Sequence, residues 1–388
     1  MFEIILPAAV GGLAVLLGRK KGWNDRKSIE LVFKNLKIGY KSGDEFKFPT
    51  FISEDKGTEG RTIYTYRTSI GLTDSEVKPI QETLTKTLNS KVSVEYDRFI
   101  IITVYHESIP KLLHYRDIPK GAGGWLVPLG KNEDGFHFHD FDAIPHMTVA
   151  GTTRFGKTVN LKSNMTYLIE SHPDDVEFIL IDLKGGLEFD RYKNLKQVRH
   201  VCKNLEETHA VLQQLHYDLA SLMTDFLEKG INNIAETNLK NRLFVVVDEA
   251  AQLAPEAWMS KEVRDAMSEC QWYLSELARV AGGLGVRLIY ATQYPTADCL
   301  PRQIKMNSDI KISYRLGADY ASKVAIDEYG AEKLPSNFKG RALVKTHELR
   351  EMQTPLITDK EMFGRLKQYV IKKRDTPPPG NDDIIEIG

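Results

Sequence analysis

The sequence predicts an α/β protein with a mostly parallel sheet, and three observations carry that expectation. Met147-Thr-Val-Ala-Gly-Thr-Thr-Arg-Phe-Gly-Lys-Thr158 joins a short apolar strand to the pattern GxxxxGKT. Leu243-Phe-Val-Val-Val-Asp-Glu249 is a continuous apolar run that ends on two acids. Beyond Gly124, strand-like and helix-like runs alternate, the signature of a sheet covered by helices.

The first run reads as a phosphate-binding loop. Gly151 and Gly156 let the backbone curl so that successive N–H groups face an anion, through Thr152, Thr153, Arg154 and Phe155. A helix opening near Lys157 and continuing through Val159 to Glu170 adds its positive end. In this pattern Lys157 reaches the β- and γ-phosphates and the Thr158 hydroxyl serves Mg²⁺. A strand buried on both faces would deliver Asp248 to the sheet edge beside that loop, to hold the metal's shell. Glu249 is then placed to orient and deprotonate a water. A further apolar strand, Val286 to Ala291, ends in Thr292-Gln293, which makes Gln293 a candidate sensor of the γ-phosphate.

Composition bounds the rest. The 388 residues suffice for one large domain and a smaller one, and a hydrophobic fraction of 42% supports a buried core. Lys plus Arg number 52 against 53 for Asp plus Glu, so any nucleic-acid contact must be local. Cys202, Cys270 and Cys299 form no CxxC pair, which gives neither a zinc site nor a disulfide framework and fits a reducing setting. His137 and His139 alternate along a strand and read as half-exposed strand residues.

In chain order, Ile4 to Leu17 is almost wholly apolar and is followed by Arg19, Lys20 and Lys21. With its charges after the apolar run, it reads as a membrane anchor over residues 1–18 rather than a secretory signal, with the remainder on the cytoplasmic side. The alternative is a buried or peripheral helix in a cytoplasmic protein, since Pro7 and Gly11-Gly12 weaken a long helix. Residues 19–60 read as a juxtamembrane connection of open structure. Residues 61–118 form a small α/β module: a strand from Thr62 to Leu72, a helix capped by Thr73-Asp-Ser-Glu76, and strands Val92 to Tyr96 and Phe99 to Tyr105. The Gly-rich stretch Pro119 to Gly124 opens the large domain, residues 119–375. It includes a buried strand from Val176 to Leu183, a helix from Glu206 to Lys229 stopped by Gly230, and an amphipathic run from Asp359 to Lys373. Residues 376–388 are a Pro-rich acidic tail.

Taken together, Pro145 to Ala150, the phosphate loop, Ile181-Asp-Leu-Lys-Gly-Gly186, Val247-Asp-Glu-Ala250, Ala291-Thr-Gln293 and Ile304-Lys-Met-Asn307 resemble the FtsK/SpoIIIE motor domain. The likeness covers roughly residues 145–355. It implies a RecA-like P-loop ATPase that uses ATP and Mg²⁺, assembles as a hexameric homo-oligomer and moves double-stranded DNA. It also implies hydrolytic roles for Lys157, Asp248 and Glu249, with Gln293 as sensor, and DNA-facing pore loops at Lys184, Arg302 and Lys305. Departures matter: Arg154-Phe155 stands where division translocases carry Gly-Ser and looks more like the plasmid and conjugative-element branch. Gly282 stands where an arginine commonly reaches a neighbouring subunit's nucleotide, leaving Arg279 and Arg315 as substitutes, and Tyr294 replaces another arginine. With only a short stretch after Lys373, the expectation is a chain without a DNA-reading winged-helix domain of its own. The expectation is a membrane-anchored coupling protein that passes plasmid or integrative-element DNA to transfer-channel or relaxase proteins. A segregation pump, a packaging motor and a protein-secretion ATPase are the alternatives.

Overall fold

The computed structural model describes residues 24–42, 44–57, 60–68, 71–120 and 123–371. The expected anchor and the acidic tail lie outside these residues. Among the described residues no helix is long and apolar enough to cross a membrane. The chain divides into two compact units, Met1–Ile109 with Glu133–Gly135, and Pro110–Asn132 with Phe136–Gly388.

In the first unit, the stretch whose structure the sequence left open folds into helix α1 (Asp25–Asn35) and strands β1 (Tyr40–Ser42), β2 (Glu45–Lys47) and β3 (Thr50–Lys56). Then come β4 (Arg61–Arg67), α2 (Asp74–Leu88), β5 (Lys91–Asp97) and β6 (Phe99–Tyr105). The expected strand from Thr62 to Leu72 therefore stops at Arg67. Strands β3-β4-β6-β5 form an antiparallel sheet in that order. Alternation puts Tyr64, Tyr66, Ile100, Ile102 and Val104 on one buried face, where Ile29, Val32 and Phe33 of α1 and Ile80 and Leu84 of α2 cover it. Thr73 N donates to Glu76 Oε2 at 2.9 Å, the capping box that fixes where α2 begins.

The second unit contains β7 (Leu126–Asn132), β8 (Gly135–Asp140), β9 (His146–Ala150), α3 (Lys157–Ser171), β10 (Val176–Ile181), β11 (Val198–Cys202) and α4 (Leu205–Glu228). It continues through β12 (Arg242–Val247), α5 (Lys261–Val280), β13 (Val286–Thr292), α6 (Arg302–Asn307), β14 (Ile310–Tyr314), α7 (Asp319–Ile326), β15 (Arg341–Lys345), β16 (Leu349–Gln353) and α8 (Asp359–Leu366). Ten strands form one sheet in the order β11-β10-β12-β13-β9-β14-β15-β16-β7-β8. From β11 to β14 neighbouring strands run parallel; β15 and β16 add antiparallel, and β16 is antiparallel to β7. The sheet is thus mixed, with its parallel half around the phosphate loop.

The parallel strands are apolar throughout because both faces are buried. Phe178 and Leu180 of β10, Phe244 and Val246 of β12, and Ile289 and Ala291 of β13 share one core with Leu161, Met165 and Leu168 of α3. The alternate residues Ile179, Val245 and Leu288 join the opposite core with Leu212, Leu215 and Leu219 of α4 and Leu274 and Leu277 of α5. Sandwiching the strands in this way fixes where their carboxyl ends emerge. That common edge is where the sequence motifs meet.

Candidate phosphate-binding site

The loop from Gly151 to Gly156 is tied down on both sides. Gly151 N donates to Thr292 O at 3.2 Å, while Thr152 N and Oγ1 donate to Arg315 O at 3.1 and 3.0 Å. Tyr314, fully buried beneath the loop, sets the glycine requirement. A Cβ at Gly151 would lie 2.6 Å from Tyr314 Cβ, and one at Gly156, where φ is +130°, 2.7 Å from its Cε1. Arg154 adopts φ of +73°, the left-handed region that is costly for a residue with a side chain. Strain at this point fits a loop shaped for a ligand.

Strand β13 lies between β9 and β12, so its tip separates the loop from the acids. Lys157 opens α3 and is 4% exposed; its Nζ is 2.9 Å from Asp248 Oδ1, 3.9 Å from Glu249 Oε2, and also donates to the Asp248 carbonyl. Glu249 Oε1 accepts from Gln293 N at 2.9 Å and Thr292 Oγ1 at 3.2 Å, while Oε2 accepts from Lys184 Nζ at 3.2 Å. Thr153 Oγ1 donates to Gln293 Oε1 at 2.9 Å, linking loop and strand tip. The structure thereby brings Lys157, Asp248, Glu249 and Gln293 together.

Burial raises the Asp248 carboxyl above its ordinary value, and the attraction of Lys157 opposes this without cancelling it. The Asp248 carboxyl and the hydroxyl of Thr158, the residue after its partner Lys157, are oxygen donors of the kind that suits Mg²⁺. Among the described residues no group of three or more histidine, cysteine and acid side chains is gathered to hold a metal, so an ion here would rest on few protein ligands.

The loop opens into a cleft of about 670 Å³. Leu112, Phe338, Pro355 and Leu356 give it an apolar wall, with Lys162 and Glu188 near the helix. Sequence reading missed this wall, whose parts come from three distant segments without a shared pattern. It is closed against the loop by hydrogen bonds such as Gly340 N to Phe155 O at 2.9 Å, which no sequence shows.

The remaining expected residues are placed as follows. Arg279 is exposed and paired with Glu276 at 2.5 Å, and Arg315 donates to the Leu334 carbonyl. Arg302 is exposed at the start of α6, while Lys305 is engaged with Asp327 at 2.6 Å. Lys184 reaches into the site, to Glu249. A side chain at Gly282 has no room, because a Cβ there would lie 2.6 Å from Pro145 Cγ. His139 corrects the reading of half-exposed histidines: it is 4% exposed, and burial lowers its imidazole to about 4. The three cysteines are free and buried.

Residues 120–241 match the FtsK/SpoIIIE family. The chain carries an FtsK/SpoIIIE domain. DNA translocase FtsK of Streptococcus agalactiae is 27% identical, over 96% of this chain and 47% of that protein. DNA translocase FtsK of Campylobacter jejuni is also 27% identical, over 70% of this chain and 30% of its own length. The chain therefore spans less than half the length of these relatives. Among solved structures, the monomer form of the pCW3 conjugation coupling protein TcpA with ATPγS superposes with a TM-score of 0.63 at 25% identity. That match covers 89% of this chain and 99% of TcpA.

Proposed function

We propose that this FtsK/SpoIIIE domain is an ATP hydrolase that drives double-stranded DNA through a hexameric ring of identical subunits. The observation that carries the reading is Glu249, held by Gln293 N at 2.9 Å behind the phosphate loop with Lys157 at 3.9 Å. An acid so placed beside a phosphate cradle suits removal of a proton from a water attacking the γ-phosphate. Loop amides and Lys157 stabilise phosphoryl charge, which requires Lys157 to exchange its contact with Asp248 for the nucleotide. Thr158 and Asp248 would hold Mg²⁺, which supplies further charge neutralisation when bound. Gln293, bonded to Thr153 of the loop, is suited to sensing whether a phosphate occupies it. The apolar wall at Leu112 and Phe338 suits the nucleotide base.

The finer setting is also proposed. Resemblance to TcpA along nearly all of that protein, together with Arg154-Phe155, supports a coupling protein that feeds plasmid or integrative-element DNA to a transfer channel. Ile4 to Leu17 followed by Arg19, Lys20 and Lys21 supports single-pass anchoring with the motor in the cytoplasm. Fractionation of expressing cells tests the anchor: recovery wholly in the soluble fraction contradicts it. ATP turnover with long duplex, single-stranded and no DNA tests the motor. Marked stimulation by duplex is expected; no response to any DNA from assembled rings would overturn the DNA reading.

A further inference from the structure

Glu249 has a contact that phosphate chemistry alone does not require. Its Oε1 is held by β13, through Gln293 N and Thr292 Oγ1, while its Oε2 faces Lys184 Nζ at 3.2 Å. A carboxylate that is to accept a proton from water needs a free lone pair aimed at that water. Lys184 takes the direction that Oε2 offers.

The loop that carries Lys184 is built to present it. Asp182, 1% exposed, anchors the loop base: its Oδ1 accepts from Lys184 N at 3.2 Å, and its Oδ2 from Glu188 N at 2.8 Å and Phe189 N at 3.2 Å. Gly185 and Gly186 both take φ of +77°, turning the chain immediately after the lysine. The backbone is thus fixed while the side chain spans two environments. Lys184 is 37% exposed and Glu249 only 4%, so the ammonium straddles the rim and the acid lies inside. An ion pair with one partner in solvent is weak and screened by salt. A second anion outside the rim competes for such a cation.

We infer that Lys184 is a positioning residue that restrains Glu249 and releases it to water when a phosphodiester of the bound polymer draws the ammonium outward. This rests on Glu249 being the hydrolytic base, as proposed above. It joins polymer binding to turnover within one subunit, through a single side chain of about four methylenes. Lys157 strengthens the arrangement: at 3.9 Å it also attracts Oε2, and when Lys157 turns to a nucleotide phosphate Lys184 is left as that oxygen's cation.

The test is ATP turnover by the full chain at saturating ATP, with and without long duplex DNA, for wild type, Lys184→Met and Lys184→Arg. Lys184→Met should raise the DNA-independent kcat about five-fold, the scale of losing a half-exposed ion pair, and lower the stimulation ratio by a like factor. KM for ATP should stay unchanged, and Lys184→Arg should keep the wild-type ratio. Added salt should raise the basal kcat of wild type and not that of Lys184→Met. An unchanged or lower basal kcat in Lys184→Met that still binds ATP overturns the inference. Should that variant not fold, a wild-type basal kcat that falls with salt overturns it instead. If duplex fails to stimulate wild type while Lys184→Met is faster, the restraint stands and the DNA reading falls. If duplex stimulates both proteins equally from the same basal rate, the DNA reading stands and the restraint falls.

Discussion

Strands β9, β12 and β13 carry buried charge at both ends, and the two ends are treated differently. At their amino ends, Asp142 Oδ1 accepts from Arg242 Nε at 2.9 Å and Arg287 Nη2 at 2.6 Å, and Oδ2 accepts from Arg242 Nη2 at 3.0 Å. Both arginines are buried, at 4% and 1% exposure. Burial alone would push the Asp142 carboxyl up, but the two guanidinium groups outweigh it and hold the acid below the usual carboxylate range. At the carboxyl ends Asp248 is also buried, has one lysine, and stays above its usual range. One end gives its acid two cations, whereas the other leaves its acid with one and in need of more. The lesson is that burial of an acid does not mark a working site; incomplete compensation beside a phosphate loop does.

The contrast can be broken by matched substitutions. Asp142→Asn leaves two buried arginines facing a neutral amide and should cost about 3 kcal/mol, read as a lowered denaturant midpoint. The pH dependence should be smaller and should come from the same end. Burial lowers His139 to about 4 and, with help from the nearby Arg287 charge, His146 to about 3. His146 Nδ1 also accepts from Leu288 N at 3.0 Å, a bond that protonation there would break. Both folded values lie below the unfolded value of 6.5, so the unfolded chain takes up protons first. Stability from these groups is present above pH 6.5 and is lost as pH falls toward 4 and then 3. Unfolding midpoints between pH 7 and 4 should flatten in His146→Gln; an unchanged slope would remove His146 from the account. The smallest effect is expected at the other end. Because the fold raises the Asp248 carboxyl, its ionised form costs stability near neutrality, and Asp248→Asn should hold or slightly raise the midpoint while hydrolysis is lost. Equal destabilisation by the two Asn substitutions would erase the distinction between the ends.

Legibility of the sequence follows the same line. The phosphate loop, the acids after β12 and Gln293 after β13 were readable because each is a short run whose spacing and apolar lead-in belong to one element. That β13 lies between β9 and β12, putting Gln293 between loop and acids, is long-range pairing and had no local sign. The Asp142, Arg242 and Arg287 cluster joins residues a hundred or more positions apart. Lys184 was readable only as a basic loop residue and was expected to face DNA; its contact with Glu249 depends on how β10 and β12 align. In the smaller unit, Ile29, Val32 and Phe33 have helical spacing that supports α1, but the charged residues around them obscured it. Antiparallel β15 and β16 extend a sheet that the motifs describe only in its parallel half.

The account rests on Lys157 receiving phosphate and Glu249 acting on water, and equilibrium binding of ATP to wild type, Lys157→Ala and Glu249→Gln separates those roles most directly. Glu249→Gln should bind ATP as wild type does and retain it unhydrolysed, with turnover lower by about 10²- to 10⁴-fold. Lys157→Ala should lose both binding and turnover. Equal loss of binding in the two variants, or hydrolysis preserved in Glu249→Gln, would contradict the assignment.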